Sequence, residues 1–364
     1  MHVSILGTRG IPSRHGVFET FAQDLALFLT ARNHDVTVYC QDEDGDAADD
    51  MWQGVHRVFI QSKTHPMGTI AFDWASTRRA SRSKGVILTL GYNTGVLNLL
   101  YRLRGVPSVM NMDGIEWKRE KWSLPQRTWL WLNEWAGARA ANHLIADHPE
   151  IATHLQRHTS ARKITVIPYG ADALTSASIE PMHANHLTPK AYDLLIARPE
   201  PENSIVEIVR AYSVRRRHVP LVVLGNYAPE TNQYHRRVLD MAGPDVRFLG
   251  SIYDREIVRS LRFYARAYVH GHRVGGTNPS LVESMAAGNA IIAHDNRFTR
   301  WVAGDGARFF KDSDDLAALL ATLEADPDQF TLMETESRKR HAELFTQEKV
   351  LSAYENVLMR FCRA

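Results

Sequence analysis

Twice along this chain, short apolar runs of strand length alternate with segments of helical period. That double alternation restricts it to an α/β architecture built on parallel sheets. Val3-Ser-Ile-Leu6 ends in Gly7-Thr8-Arg9-Gly10, and Val17, Phe18, Phe21, Leu25, Phe28 and Leu29 then fall on one helical face. Val36–Cys40 returns as a strand. Strand, glycine loop, helix, strand is a βαβ unit, the opening of a doubly wound sheet. Further strands are predicted at Val86–Leu90, Ser108–Asn111, His143–Ala146 and Thr165–Pro168. The stretch from Gly170 to Asn185 has no period and reads as a linker. A second alternation follows, with strands predicted at Tyr192–Ala197, Leu221–Leu224, Val246–Phe248, Ala267–His270, Ala290–Ala293 and Ala307–Phe310. The expected division is an N-terminal Rossmann-like domain over 1–172, a linker over 173–190, a second Rossmann-like domain over 191–345 and a terminal helix within 346–364. A chain of 364 residues can bury two cores of ordinary domain size.

Bulk properties narrow the function classes. A net charge of +2 supplies no strong drive toward nucleic acid. Two cysteines far apart in sequence, Cys40 and Cys362, suggest no disulfide framework, and a reducing cytoplasm is the expected setting. The N-terminus reads as a first strand and turn and not as a signal peptide, and no apolar run is long enough to span a bilayer.

The stretch His270-Gly-His-Arg-Val-Gly-Gly-Thr-Asn-Pro-Ser-Leu-Val-Glu-Ser-Met-Ala-Ala-Gly-Asn-Ala-Ile-Ile-Ala-His294 is chemically the most specific. Asn278 is a preferred N-cap, Pro279 suits the first helical position, and Gly288 supplies a left-handed stop. A glycine-rich approach to a helix N-terminus presents N–H groups and the positive end of the dipole, which is an anion site. Glu283, one turn in, would hang a carboxylate beside the anion. A carboxylate next to a phosphate makes sense when it grips hydroxyls, as on a ribose, so the pattern points to a nucleoside diphosphate.

This segment resembles the donor-binding motif of family 4 retaining glycosyltransferases, whose GT-B fold faces two Rossmann-like domains across a cleft and returns a C-terminal helix to the first domain. The resemblance implies that Glu283 holds the ribose and that Gly276, Thr277, Asn278, Ser280 and Leu281 hold the diphosphate. A second glutamate is usual eight residues earlier, and here that position is Gly275. The variant Gly-Gly-Thr-Asn-Pro-Ser-Leu resembles a rhamnosyltransferase-like subgroup. The loop Gly7–Gly16 is similar to that subgroup's N-terminal loop and implies donor contacts at Gly10 and Gly16, with Val17 in place of a usual second glycine. Arg198, after the first strand of the second half, matches the arginine that neutralises the leaving diphosphate, and Asn203 stands near the usual lysine. Asn111-Met-Asp-Gly-Ile-Glu-Trp-Lys-Arg119 resembles the first-domain motif facing the acceptor. It implies acceptor roles for Asn111, Glu116, Trp117 and Arg119, while Asp113 or Glu116 orients or deprotonates an acceptor hydroxyl. His272 is the better functional candidate of the His-Gly-His pair, and His270 reads as a hydrogen-bonded structural histidine.

Five of eight tryptophans lie between Trp117 and Trp135 among Lys118, Arg119, Lys121 and Arg127. Trp129 and Trp135 fit a helical face and are expected in the core, whereas Trp117 and Trp122 suit an acceptor or lipid surface. His154 and His158 are spaced i,i+4 but no third ligand is evident in the sequence, and the acidic run Asp42–Asp46 reads as a solvated loop. No metal and no cofactor are expected, the nucleotide-sugar being a substrate. The resulting expectation is a glycosyltransferase using a dTDP-, UDP- or GDP-linked sugar, with dTDP-rhamnose the leading donor. Its acceptor would be a saccharide carried on a polyprenyl diphosphate, met at the inner face of the plasma membrane during surface polysaccharide assembly. Competing readings are a non-hydrolysing sugar-nucleotide epimerase, whose own acid/base motifs are not found, and a donor-binding but catalytically silent subunit, motivated by Gly275 and Val17. A nicotinamide oxidoreductase would need a G-x-G-x-x-G fingerprint that is absent.

Overall fold

A computed structural model describes residues 1–13, 16–119 and 121–362, the side chain of Val17 excepted. The chain divides into two compact units, Met1–Pro168 with Val350–Ala364, and Tyr169–Lys349. The first unit holds β1 (His2–Leu6), β2 (Asp35–Asp42), β3 (Asp50–Trp52), β4 (Val55–Gln61), β5 (Val86–Leu90), β6 (Ser108–Asn111), β7 (His143–Ala146) and β8 (Ile164–Val166). They form one sheet in the order β3-β4-β2-β1-β5-β6-β7-β8, parallel except for the β3/β4 pair. Both faces of this sheet are covered, so its central strands are largely apolar at successive positions. Ile5 and Leu88 point into one core with Leu25 and Leu29 of the helix Val17–Ala31, while Leu6 and Ile87 point into another with Phe72 and Tyr101.

The terminal helix Gln347–Met359 belongs largely to this first core. Val350, Leu351, Tyr354, Val357 and Leu358 pack against it, each burial worth about 1.5–3 kcal/mol. Glu355 on the same helix accepts from Arg32 Nη1 at 2.9 Å and lies 2.7 Å from His34 Nε2, which ties it to the end of the helix Val17–Ala31.

The second unit holds β9 (Asp193–Ile196), β10 (Leu221–Leu224), β11 (Val246–Gly250), β12 (Ala267–His270), β13 (Ala290–His294) and β14 (Arg308–Phe310), a fully parallel sheet in the order β11-β10-β9-β12-β13-β14. Leu195, Val223, Val269 and Ile292 face one core and Leu194, Val222, Tyr268 and Ile291 the other. The aperiodic stretch after Gly170 is not a free linker. The Leu174 amide donates to Ala286 O at 3.0 Å, and a short helix at Glu180–Ala184 places Met182 fully inside the second unit's core. Its lack of period reflects docking through single residues and not through a helical face.

In each sheet the strand order reverses once. The chain steps outward from β1 to β2 and β4 before returning to β5, and outward from β9 to β10 and β11 before returning to β12. Ligands of open α/β sheets bind beyond the carboxyl ends of the strands at such a reversal. The candidate site residues follow those strand ends.

Candidate active site

In the second unit the reversal lies between β9 and β12. Arg198 follows the end of β9 and is exposed, and among the described residues it makes no ion pair. Asn203 is 2% exposed and does not stand in for a lysine beside it. Its Nδ2 donates to Arg198 O at 2.7 Å and fastens the loop from within. At the end of β12, Gly271 must be glycine, because a Cβ there would sit 2.1 Å from Asn203 O. The two strand-end loops are thereby in backbone contact, and this brings the Arg198 and His272 segments together.

His270 corrects an expectation. It is 1% exposed, yet neither ring nitrogen has a hydrogen-bond partner. Burial, with His272 and His294 adding their charge, drives its pKa well below the ordinary value, so the ring is neutral. His272 stacks on it with centroids 4.4 Å apart and planes 7° apart, and its carbonyl accepts from Asn296 Nδ2 at 2.9 Å.

The anion-site helix forms as its capping residues dictate. It runs Pro279–Ala286 with Asn278 as N-cap, and Gly288 beyond its end has φ 73°. Its first amides are not open, however. Asn278 Oδ1 accepts from Ser280 N at 3.0 Å, and Asn278 O accepts from Leu281 N and Val282 N at 3.1 and 3.2 Å. Leu281 is also 1% exposed, within the core, and Thr277 is 3% exposed. An anion here must therefore bind ahead of the helix, along Gly275, Gly276 and Asn278, or displace the cap. Gly275 has φ 113°, and a Cβ built on it meets nothing within 4 Å, so the loop borders open space at that point.

Glu283 is held by a residue that the sequence does not flag. Arg262, on the helix Arg255–Tyr264, reaches Glu283 Oε2 at 2.5 Å with its Nη2, which also donates to Ser280 Oγ at 3.0 Å. The Tyr268 hydroxyl lies 3.0 Å from Ser280 Oγ and 3.1 Å from Ile196 O, and burial pushes its pKa up to about 12, so it stays protonated. Tyr268 precedes His270 by two residues, and strand alternation could have marked it as sharing that face. Arg262 carries no such local mark.

In the first unit, the glycine loop is shaped by packing. A Cβ on Gly7 would meet Leu90 O at 2.0 Å, and one on Gly10 would meet Cys40 at 2.8 Å. Gly10 thereby allows close contact with β2. Gly16 has φ 118°, and a Cβ there would meet only the end of the Glu19 side chain. Arg14 and His15 of this loop, and Glu120, lie outside the described residues.

Beyond β6, Asn111 is 2% exposed and fully used by the fold. Its Nδ2 donates to the Tyr354 hydroxyl at 2.5 Å, and its Oδ1 accepts from Asp113 N at 2.8 Å. It shapes the loop that carries Asp113. Asp113 sits in the left-handed region at φ 48°, which short polar side chains tolerate. Burial first, and the neighbouring Glu116 charge second, push its pKa up to about 6. Glu116 is engaged by two cations, Arg119 Nη1 at 2.9 Å and Lys121 Nζ at 3.8 Å, and accepts from the Trp122 Nε1–H at 3.4 Å. Its amide donates to the Tyr92 hydroxyl at 2.7 Å. Asp113 is thus the carboxylate left without an arginine or lysine partner in this loop, while Glu116 and Arg119 brace each other.

The tryptophan-rich helix Leu124–Ala140 differs from expectation. Trp129 and Trp135 are not core residues. Each is 43% exposed, beside Trp131 at 41%, Leu132 at 48% and Leu124 at 77%. Helix positions Leu130, Asn133, Glu134 and Gly137 face inward instead, because Gly137 Cα must approach Gly95 to within van der Waals distance. A shallow cavity of about 370 Å³ is lined by Trp117, Lys118, Arg127, Thr128 and Trp131. The expectation that no third group joins His154 and His158 is also overturned. Glu134 Oε1 lies 2.7 Å from His154 Nε2 and 3.0 Å from His158 Nε2.

Residues 179–342 match the family Glycosyl transferases group 1, and residues 1–172 match a domain of unknown function, DUF1972. No curated protein matches the sequence. Sucrose-phosphate synthase from Thermosynechococcus elongatus is similar in structure, with a TM-score of 0.81 at 16% identity over 99% of this chain and 98% of that one. HepE from Anabaena in complex with UDP gives a TM-score of 0.78 at 14% identity over 99% of both chains. An α,α-trehalose-phosphate synthase (UDP-forming) from Burkholderia vietnamiensis gives 0.72 at 12% identity, again over 99% of both. Two Rossmann-like parallel sheets give the chain the GT-B fold of these structures, and its second unit matches a group 1 glycosyltransferase domain. Among the described residues, no helix is long and apolar enough to cross a membrane.

Proposed function

We propose that the protein is a retaining glycosyltransferase that moves a sugar from a nucleoside diphosphate, with dTDP-L-rhamnose the leading donor, to a saccharide acceptor carried on a lipid diphosphate. The observation that carries the nucleotide reading is the presence near the β9/β12 reversal of Arg198, which makes no ion pair among the described residues, of the Gly275–Asn278 loop, open at Gly275, and of a carboxylate, Glu283, held in place by Arg262. Arg198 and the loop amides take the diphosphate and Glu283 the ribose hydroxyls. The HepE structures with UDP and with UDP-glucose are consistent with a nucleotide-sugar donor on this fold.

In the reaction, the acceptor oxygen bonds to the anomeric carbon while the bond from that carbon to the terminal phosphate oxygen breaks. The electron pair leaves with the diphosphate, and the acceptor proton passes to its departing oxygen on the same face. Catalysis then rests on positioning and on stabilising charge on the leaving group. Arg198 supplies a bidentate fork suited to it. Asp113 holds the acceptor hydroxyl, and His272 lies at the donor side. The exposed Trp129, Trp131 and Trp135 with Arg127 and Arg139 support peripheral contact with an anionic membrane, where a lipid-linked acceptor would be met.

A thermal-shift series with dTDP, UDP, GDP, ADP and NAD(H) tests the reading, since a ligand of the native state raises apparent stability by mass action. The expected result is a selective shift with dTDP that Arg198→Ala and Glu283→Ala both abolish. A preference for UDP or GDP would remove the rhamnosyl assignment and keep the transferase. A shift unaffected by either variant would remove the site.

A further inference from the structure

Away from the strand ends that define the donor and acceptor residues, the first unit gathers three ligand-type side chains whose reactive atoms converge. Glu134 comes from the helix Leu124–Ala140, His154 from the helix Pro149–Leu155, and His158 from the turn that follows, where its amide donates to Leu155 O at 2.9 Å. Their ligating atoms all lie within 4.8 Å of one another, and both imidazole Nε2 atoms point at the same oxygen, Glu134 Oε1. Glu134 is 1% exposed, and the histidine side chains are 8% and 12% exposed. The other carboxylate oxygen accepts from Trp117 Nε1 at 3.0 Å, which orients the carboxylate and leaves Oε1 for a shared partner.

We propose that Glu134, His154 and His158 form a divalent-cation site of zinc chemistry. Two imidazoles and one carboxylate are a recurrent zinc donor set, usually completed by a water. Tetrahedral bonds of about 2.1 Å put neighbouring ligand atoms about 3.4 Å apart, so both imidazoles must draw back from Oε1, by about 0.4 to 0.7 Å, to admit the ion. His158, the most exposed of the three, lies on the side open to water for the fourth position. Binding requires both imidazoles neutral with their remaining proton on Nδ1, so protons compete for Nε2 and binding weakens at acid pH. The ion would serve structure and not transfer. Through Glu134 it clamps Trp117, and so the segment carrying the acceptor candidates, onto two helices. The site does not depend on the assigned donor or acceptor.

The test uses the full untagged chain, stripped with a chelator, reloaded with zinc sulfate and dialysed before metal analysis. About one zinc per chain should remain, and cobalt in its place should show the strong visible absorption of a four-coordinate ion. His158→Ala should weaken zinc binding at least about tenfold in competition with a chromogenic chelator, while His218→Ala should not. Less than about 0.1 zinc per wild-type chain would overturn the proposal whatever the variants do, and leave Glu134 as a carboxylate bonded only by N–H groups. Retention unchanged in both His158→Ala and His154→Ala would overturn it equally.

Discussion

The hold of Arg262 on Glu283 can be tested quantitatively. Arg262 is 11% exposed and Glu283 43%, with 2.5 Å between Nη2 and Oε2. Hydrogen bonds to charged groups contribute about 1.5–3 kcal/mol when enclosed. Solvent reaching Glu283 screens this one, which brings it to about 1 kcal/mol. Losing it also frees Ser280 Oγ, which Arg262 holds at 3.0 Å. Arg262→Gln should therefore weaken nucleoside diphosphate binding by about five- to tenfold, since 1.4 kcal/mol is a factor of ten. The assay is calorimetric titration of the nucleotide into Arg262→Gln, Glu283→Gln and the double variant. If Arg262 acts only through Glu283, the double variant binds as Glu283→Gln does, with strong non-additivity. Additive losses, or an Arg262→Gln affinity within about twofold of wild type, would refute the positioning argument.

Two further outcomes follow from other contacts. Gly271→Ala places a Cβ 2.1 Å from the Asn203 carbonyl and 2.7 Å from Ile208 Cδ1, so the β9 and β12 loops must separate. We expect about 1–3 kcal/mol of destabilisation in urea unfolding and a loss of nucleotide binding that exceeds it. Asp113, with its pKa pushed up to about 6, binds a proton in the folded chain that the unfolded chain has already released near pH 4, so its contribution to stability falls as pH rises from about 4 to 6. Asp113→Asn should accordingly leave stability at pH 7 equal or higher by about 1–3 kcal/mol while depressing transfer, and wild-type turnover should decline as pH falls through about 6. A destabilised Asp113→Asn at pH 7, or a pH profile flat across 5 to 7, would contradict this account.

What the sequence determined by itself is what neighbouring residues decide. Asn278-Pro279 starts a helix and Gly288 stops it because caps and left-handed turns involve atoms a few residues apart. The central strands were legible because a parallel sheet covered on both faces needs continuous apolar runs, and the two α/β halves followed from their alternation with helices. Tertiary structure alone decided which groups remain available at the site. Asn111 turns to Tyr354 on a helix 243 residues away, and burial of Asp113 by the surrounding fold pushes its pKa up to about 6. Arg262 meets Glu283, and Glu134 meets His154 and His158, only because separate helices pack side by side. Trp129 and Trp135 face solvent because Gly137 forces the opposite side of their helix against Gly95. Periodicity shows that a helix has an apolar face, but it takes the packing partner to determine which face is buried, and that partner lies far away in the chain.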